Sequence, residues 1–117
     1  MGSENLHESP DVLSAHTRDF HRAIVSLMEE LEAIDWYSQR AEACTDDSLR
    51  SVLLHNRGEE IEHAVMTLEW LRRHDGDFDR HLREMLFKEG PIEQHEQGKT
   101  EPEKSRALGI GSLRSSR

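Results

Sequence analysis

The 117-residue chain has one cysteine, three prolines and no long apolar run. A single cysteine excludes an internal disulfide, and it also excludes the Cys and His spacing of a structural zinc site. No stretch approaches the roughly 18 apolar residues of a membrane-spanning helix. The first residues lack the basic and then apolar pattern of a secretory signal. We therefore expect a cytoplasmic protein with no membrane as a partner.

The sequence is also poor in hydrophobic residues, which make up 34% of it, while charged residues make up 33%. A chain of this length holds one small domain. With so few apolar side chains, it is either partly disordered or completes its core by self-association. Its 24 acids against 15 Lys and Arg give a net charge of −9. This balance argues against nucleic acid as a partner and favours the attraction of cations.

Apolar residues recur at spacings of three and four along a first segment, which is the pattern of an amphipathic helix. Ser9-Pro10-Asp11 has the features of a helix start: a capping serine, a proline in the first turn and an acid near the positive end of the helix dipole. The pattern continues to about Ala43 without an internal Gly or Pro. The sequence therefore predicts one long helix from Pro10 to about Ala43.

Two further helices are predicted after a short polar break at Thr45-Asp46-Asp47-Ser48. The second helix continues the spacing of three and four to about His74. Asp75-Gly76-Asp77 interrupts it, and a shorter third helix is expected to end at Gly90-Pro91. The predicted fold class is all-α, with an antiparallel two-helix hairpin and a short C-terminal helix.

Glu60 and His63 are the residues around which we expect a functional site. They lie three apart in the second helix, so their side chains point from one face, one turn apart. Both continue the inward-facing stripe of that helix, and Glu30 interrupts the inward stripe of the first helix in the same way. With a turn near Cys44-Thr45-Asp46, Glu30 and Glu60 are each about 15 residues from it, which places them at one level. A salt-bridged surface does not explain that shared level.

One glutamate and one Glu-x-x-His pair are half of the ligand set of a di-iron bundle, which uses two of each. The chain has no second copy, because neither Glu69 nor Glu84 is followed by histidine three residues later. A two-fold homodimer would supply the other half and would join two hairpins into a four-helix bundle. The predicted metal centre therefore lies between two subunits.

Acidic and aromatic residues surround Glu30 on the first helix. Glu29 and Glu32 lie on a more exposed face, where acids either pass cations to a site or form a plain solvated surface. Trp36 and Tyr37 follow, and Tyr37, one heptad from Glu30, is either a neighbour of the metals or a core tyrosine. An exposed side of the second helix carries His55, Glu59 and Glu62. These residues either bind metal weakly or form a plain solvated surface.

The chain divides into four segments: a disordered N-terminus 1–9, a helical domain 10–91, a flexible linker 92–106 and a terminal segment 107–117. In the last of these, Leu108, Ile110 and Leu113 are separated by glycines, so they cannot form a helix or a core. An apolar peptide at the end of a flexible tail is typical of a docking segment. The alternative is a frayed terminus.

Several motifs closely resemble those of the encapsulated ferritins. They are MEELEAIDWY at 28–37, HNR at 55–57, EEIEH at 59–63 and MTLEWLRR at 66–73. The terminal LGIGSLR at 108–114 resembles the cargo-loading peptide that binds the inner wall of an encapsulin shell. The likeness covers about residues 12–92 and this peptide.

The resemblance implies ferritin-like half-bundles whose dimers form a di-iron ferroxidase centre and assemble into a decameric ring, a pentamer of dimers. It implies oxidation of Fe(II) to Fe(III) with dioxygen, two iron ions per dimer interface, Ca or Zn as surrogates, and mineral storage inside an encapsulin compartment. By motif position, the implied ferroxidase residues are Glu30, Glu60, His63 and the adjacent Tyr37. The implied metal-uptake residues are Glu29, Glu32 and Trp36. The implied outer metal site consists of His55, Glu59 and Glu62.

Two other functions remain compatible with the sequence. The first is a non-catalytic scaffold in which Zn or Mn bridges the dimer, although a structural zinc site favours Cys and His ligands. The second is a helical cargo adaptor that acts only through its tail.

Overall fold

The computed structural model describes residues 6–96, which contain three α-helices and no β-strand. The helices are α1 (Ala15–Ala43), α2 (Asp47–His74) and α3 (Gly76–Met85), with 3₁₀ turns at Pro10–Val12 and Ile92–His95. The predicted all-α class is confirmed. Most of the predicted N-terminal segment and linker, and all of segment 107–117, lie outside the described residues. Within the described part, no helix combines the length and hydropathy that crossing a bilayer requires.

The start of α1 differs from the prediction. Ser9 accepts a hydrogen bond from the Asp11 N–H, but it caps only a 3₁₀ turn, and Leu13 is extended with φ −97° and ψ 140°. Ser14 is the cap of the long helix, since its hydroxyl oxygen accepts from the Thr17 N–H at 3.0 Å. The prediction of a helix from Pro10 was therefore wrong. Two serines compete to cap the segment, and the extended residue between them separates the turn from the helix.

Three residues, 44–46, connect α1 to α2. The Asp46 carboxylate accepts from the Leu49 N–H at 2.8 Å, which caps the start of α2. At the end of α1, Arg50 donates from Nε to the Ala41 carbonyl oxygen at 3.1 Å and from Nη2 to the Cys44 carbonyl oxygen. Both helix ends at this turn therefore have partners for backbone groups that lack an intrahelical hydrogen bond.

α1 and α2 pack as an antiparallel hairpin, because contacts further from the turn join lower numbers on α1 to higher numbers on α2. Arg57 contacts Ser38, and beyond that pair His63 contacts Glu30. Few apolar side chains are buried along the apolar seam between α1 and α2. Of the described residues, the buried hydrophobic ones are Ala41, Ala64 and Leu71. Several larger apolar side chains of the hairpin keep 36–58% of their surface exposed, namely Leu31, Leu54, Ile61, Val65 and Met66. The hairpin alone does not complete a core.

α3 belongs to a second compact unit that begins at Asp75. Asp75 caps the helix by accepting from the Phe78 N–H at 2.9 Å. The helix ends at Met85, earlier than the predicted end at Gly90-Pro91. Leu86 is extended, and Phe87 has a φ of 59°, so the backbone leaves helical geometry before it reaches the glycine.

Gly58 lies inside α2, where glycine costs about 0.5–1 kcal/mol relative to alanine. A Cβ built at this position meets no atom within 4 Å apart from its chain neighbours and the backbone of its own helix. We therefore expect Gly58→Ala to raise the free energy of unfolding by about 0.5–1 kcal/mol, measured by urea denaturation of the metal-free protein. A loss of stability would instead indicate that another molecule approaches the α2 backbone at Gly58.

Candidate metal centre

Glu30, Glu60 and His63 come together in the middle of the hairpin, and we call them the metal triad. Glu30 lies on α1, while Glu60 and His63 lie one turn apart on α2. The His63 Nδ1 atom is 3.3 Å from the Glu60 Oε1 atom and 3.7 Å from the Glu30 Oε1 atom. One potential ligand atom from each residue lies within 4.8 Å of the others. Among residues 6–96, no other group of three His, Cys, Asp or Glu residues brings its potential ligand atoms this close together.

The two carboxylates of the triad are held close together in partly buried positions. The side chains of Glu30 and Glu60 are about one-quarter exposed, and that of His63 is 45% exposed. A hydrogen bond between the two carboxyl groups, assisted by burial and by the negative charge of Glu60, raises the pKa of Glu30 above its usual 4.5. The His63 imidazole opposes that shift. A cation bound between the two carboxyl groups would take the place of the proton in their hydrogen bond.

This pKa shift leads to a prediction for the metal-free protein. Native Glu30 keeps a proton at pH values where the unfolded chain, with its pKa near 4.5, has released it. The free energy of unfolding should therefore fall as the pH rises from 4.5 through the raised pKa of Glu30. Glu30→Gln cannot ionise and should show a flatter profile. Urea denaturation of both proteins in chelator at a fixed protein concentration, from about pH 4 to pH 7, tests this. Parallel profiles would contradict it.

The chemistry of the triad fits a divalent first-row metal. Carboxylate oxygen and imidazole nitrogen suit Fe, Mn and Zn, and the triad includes no thiolate. Three protein donors from one chain leave coordination positions open for further ligands. The triad is therefore a candidate metal centre that a single hairpin leaves incomplete.

The predicted uptake residues lie outside the triad. Glu29 and Glu32 are exposed on α1, and 48% of the Trp36 surface is exposed. Tyr37 is half-buried, one heptad from Glu30. The Arg40 guanidinium carbon is 5.7 Å from the Trp36 ring centroid and 5.6 Å from that of Tyr37. Arg40 is therefore within cation–π distance of both rings.

The predicted outer site is only partly assembled. His55 Nε2 and a Glu59 carboxylate oxygen lie 3.7 Å apart, one turn from each other on α2. Glu62 is exposed and is not part of a three-residue cluster among residues 6–96. The structure therefore brings two of the three predicted residues together.

Sequence reasoning did not identify the interhelical link between Arg57 and Ser38. Arg57 donates from Nε to the Ser38 hydroxyl oxygen at 2.7 Å, and both residues are half-buried. The sequence feature that could have indicated this link is the position of Arg57, one turn before Glu60 in the second helix. Its partner is 19 residues away and becomes evident only when the hairpin closes.

Comparisons with known proteins agree with this architecture. The sequence profile of the family described as EncFtn-like matches residues 5–89. An encapsulated ferritin-like protein of Rhodospirillum rubrum is 51% identical over 97% of this chain and 91% of its own length. A ferritin-like protein of Thermotoga maritima is 46% identical over 81% of this chain and 83% of its own. A crystal structure of a Nitrosomonas europaea protein superposes with a TM-score of 0.72 at 55% identity, covering 75% of this chain and 97% of the other.

Proposed function

Because the chain belongs to the EncFtn-like family, we propose that it is a ferroxidase whose substrate is Fe(II). Iron loses one electron per ion and leaves as Fe(III), and dioxygen accepts the electrons. The observation that carries this proposal is the convergence of Glu30, Glu60 and His63 within 4.8 Å. Hard carboxylate donors stabilise the higher charge of Fe(III), and they leave open positions for dioxygen.

The triad residues have distinct proposed roles. Glu60 and His63 would hold an iron ion from a single helix face, and Glu30 would supply a further carboxylate ligand from the other helix. Because the pKa of Glu30 is raised, cation binding would compete with its proton. We propose that Tyr37 also lies beside the metals. It is seven residues from Glu30, which is about 10 Å along the helix axis, so a Tyr37 near the metals would come from a second chain.

We propose that a second copy completes the site. One chain supplies one Glu and one Glu-x-x-His pair, whereas a di-iron bundle uses two of each. The exposed apolar side chains of the hairpin support self-association, because a lone hairpin leaves them in water. A two-fold pair of hairpins would give a four-helix bundle with its metal centre at the dimer axis, and we propose further assembly into a decameric ring.

The remaining predicted residues are assigned by their exposure. Glu29, Glu32 and Trp36 are accessible on α1, where acids attract Fe(II) before it enters the centre. The outer site is proposed to bind metal weakly, since His55 and Glu59 are close but no three-residue cluster among residues 6–96 includes Glu62.

We propose an encapsulin shell as the second partner. The name of the Rhodospirillum rubrum relative describes an encapsulated protein, and the sequence of the 108–114 segment resembles a cargo-loading peptide. The protein would then act inside an encapsulin compartment that stores the ferric product. A chain truncated after residue 106 should oxidise iron and fail to co-purify with the shell.

Aerobic oxidation of Fe(II) by the wild-type chain tests the proposed activity. Ferric absorbance should grow much faster than in protein-free buffer, and preloading with Zn(II), which has the same ligand preferences but no redox chemistry, should suppress it. Zn(II)-dependent assembly without any acceleration of iron oxidation would favour the metal-bridged scaffold instead.

A further inference from the structure

Two arginines of α2 connect it to α1 by hydrogen bonds. Arg50 lies at the turn and donates to carbonyl oxygens at the end of α1. Arg57 lies two turns further along α2 and donates from Nε to the Ser38 hydroxyl oxygen at 2.7 Å. Arg50 therefore closes the turn, whereas Arg57 joins the helices between the turn and the metal triad.

The Ser38 hydroxyl is engaged on both sides. It donates its single hydrogen to the Ile34 carbonyl oxygen at 2.7 Å, so its lone pairs remain to accept from Arg57. The Arg57 guanidinium is thereby tied to the α1 backbone through two short hydrogen bonds. Both bonds are partly buried, which strengthens them relative to a contact made in water.

Arg57 does not act as a general ion-pair partner. No carboxylate among residues 6–96 lies within ion-pair distance of it, although the chain is rich in acids. Arg57 also lines a surface cavity of about 320 Å³ between the two helices. The cavity is lined by Ser38, Ala41, Glu42, Arg50, Leu54 and Arg57. Arg57 contacts α1 through its hydrogen bond to Ser38. Because a hydrogen bond is directional, it selects one relative placement of the two helices.

That placement matters for the metal triad. Arg57 precedes Glu60 by one turn, about 4.5 Å along the axis, so the link and the α2 ligands move together. A slip of α2 by one residue would shift Glu60 and His63 by about 1.5 Å and rotate them away from Glu30. The apolar seam resists such a slip weakly, since two of its three buried residues are the small Ala41 and Ala64. A polar contact is better suited to specify register.

We propose that Arg57 is a positioning residue of the metal centre, which sets the register of α2 against α1 through Ser38. The pair brings Glu60 and His63 opposite Glu30, and it does so without touching the metal. This inference rests on the proposed function only in treating the triad as a metal site.

Binding of Co(II), which is stable in air and absorbs visible light according to its ligand geometry, tests the positioning role. Arg57→Met removes the donor and keeps the apolar stem, and Ser38→Ala removes the acceptor. Each variant should weaken Co(II) binding about tenfold and change the visible absorption of bound Co(II). The double variant should lose no more than either single variant, because both changes break the same link.

Two control variants separate this role from general destabilisation. Arg22→Met removes an exposed arginine that pairs with Asp19 on its own helix, and Ser38→Thr keeps the hydroxyl. Both should bind Co(II) as the wild-type chain does, with the same absorption. Additive losses in the double variant, or normal Co(II) affinity and absorption in both single variants, would overturn the positioning role alone. Absence of Co(II) binding by the wild-type chain would overturn the proposed function together with it.

Discussion

Replacing Glu60 with alanine is expected to reduce the rate of Fe(II) oxidation to that of protein-free buffer. Glu60 contacts both other members of the triad, since its carboxyl group shares a hydrogen bond with Glu30 and its Oε1 atom is 3.3 Å from His63 Nδ1. Changing a residue that only supports a metal ligand costs 10- to 100-fold in affinity or activity, so loss of a ligand should cost on the order of 100-fold or more.

The same substitution should leave the metal-free hairpin folded. Glu60 contributes negative charge beside another partly buried acid, and its removal relieves that contact. The midpoint of thermal unfolding of Glu60→Ala in chelator should therefore equal or exceed that of the wild-type chain. Addition of Zn(II) should raise the midpoint of the wild-type chain and have little effect on the variant.

Stopped-flow absorbance of the ferric product, with thermal unfolding of the same samples, measures both effects. Glu42→Gln is the matched control, because it removes an exposed acid of α1 that lies outside the triad. The control should oxidise Fe(II) at the wild-type rate. If Glu60→Ala were also as fast as the wild-type chain, the triad would not be the site of oxidation.

Placing a charge at Val65 is expected to dissociate the proposed two-fold assembly. Val65 is 58% exposed in the isolated hairpin, so Val65→Asp should cost little in the folding of one chain. In a completed bundle, the same position would bury a carboxylate without a partner, which costs several kcal/mol. A penalty of about 3 kcal/mol would weaken a two-fold association by more than 100-fold.

Sedimentation velocity at micromolar concentration measures this directly. We expect a dimer or larger species for the wild-type chain and a monomer for Val65→Asp. Ser51→Asp, which adds the same charge at an exposed polar position of α2, should remain associated. If two chains share the metal centre, Val65→Asp should also lose Fe(II) oxidation although its triad is intact. An unchanged sedimentation coefficient would show that this face of α2 is not part of the interface.

Local pattern and counting along the chain were sufficient for the class of fold and for the triad. Spacings of three and four predict helices because a helix repeats every 3.6 residues. Glu60 and His63 share a face for the same reason, and equal distance from the turn places Glu30 at their level. These inferences depend on backbone geometry within one or two helices, which does not require knowledge of packing.

Other features were decided by contacts between residues that are distant in sequence or by competition among local alternatives. Ser9 and Ser14 are both good caps, and the extended backbone at Leu13 decides that α1 begins after the second. The left-handed backbone at Phe87 ends α3 before its glycine signal. The link between Arg57 and Ser38 exists only in the closed hairpin. The raised pKa of Glu30 likewise requires that Glu60 be brought against it, because the shift comes from a neighbour on another helix and from burial, and neither is a property of the local sequence.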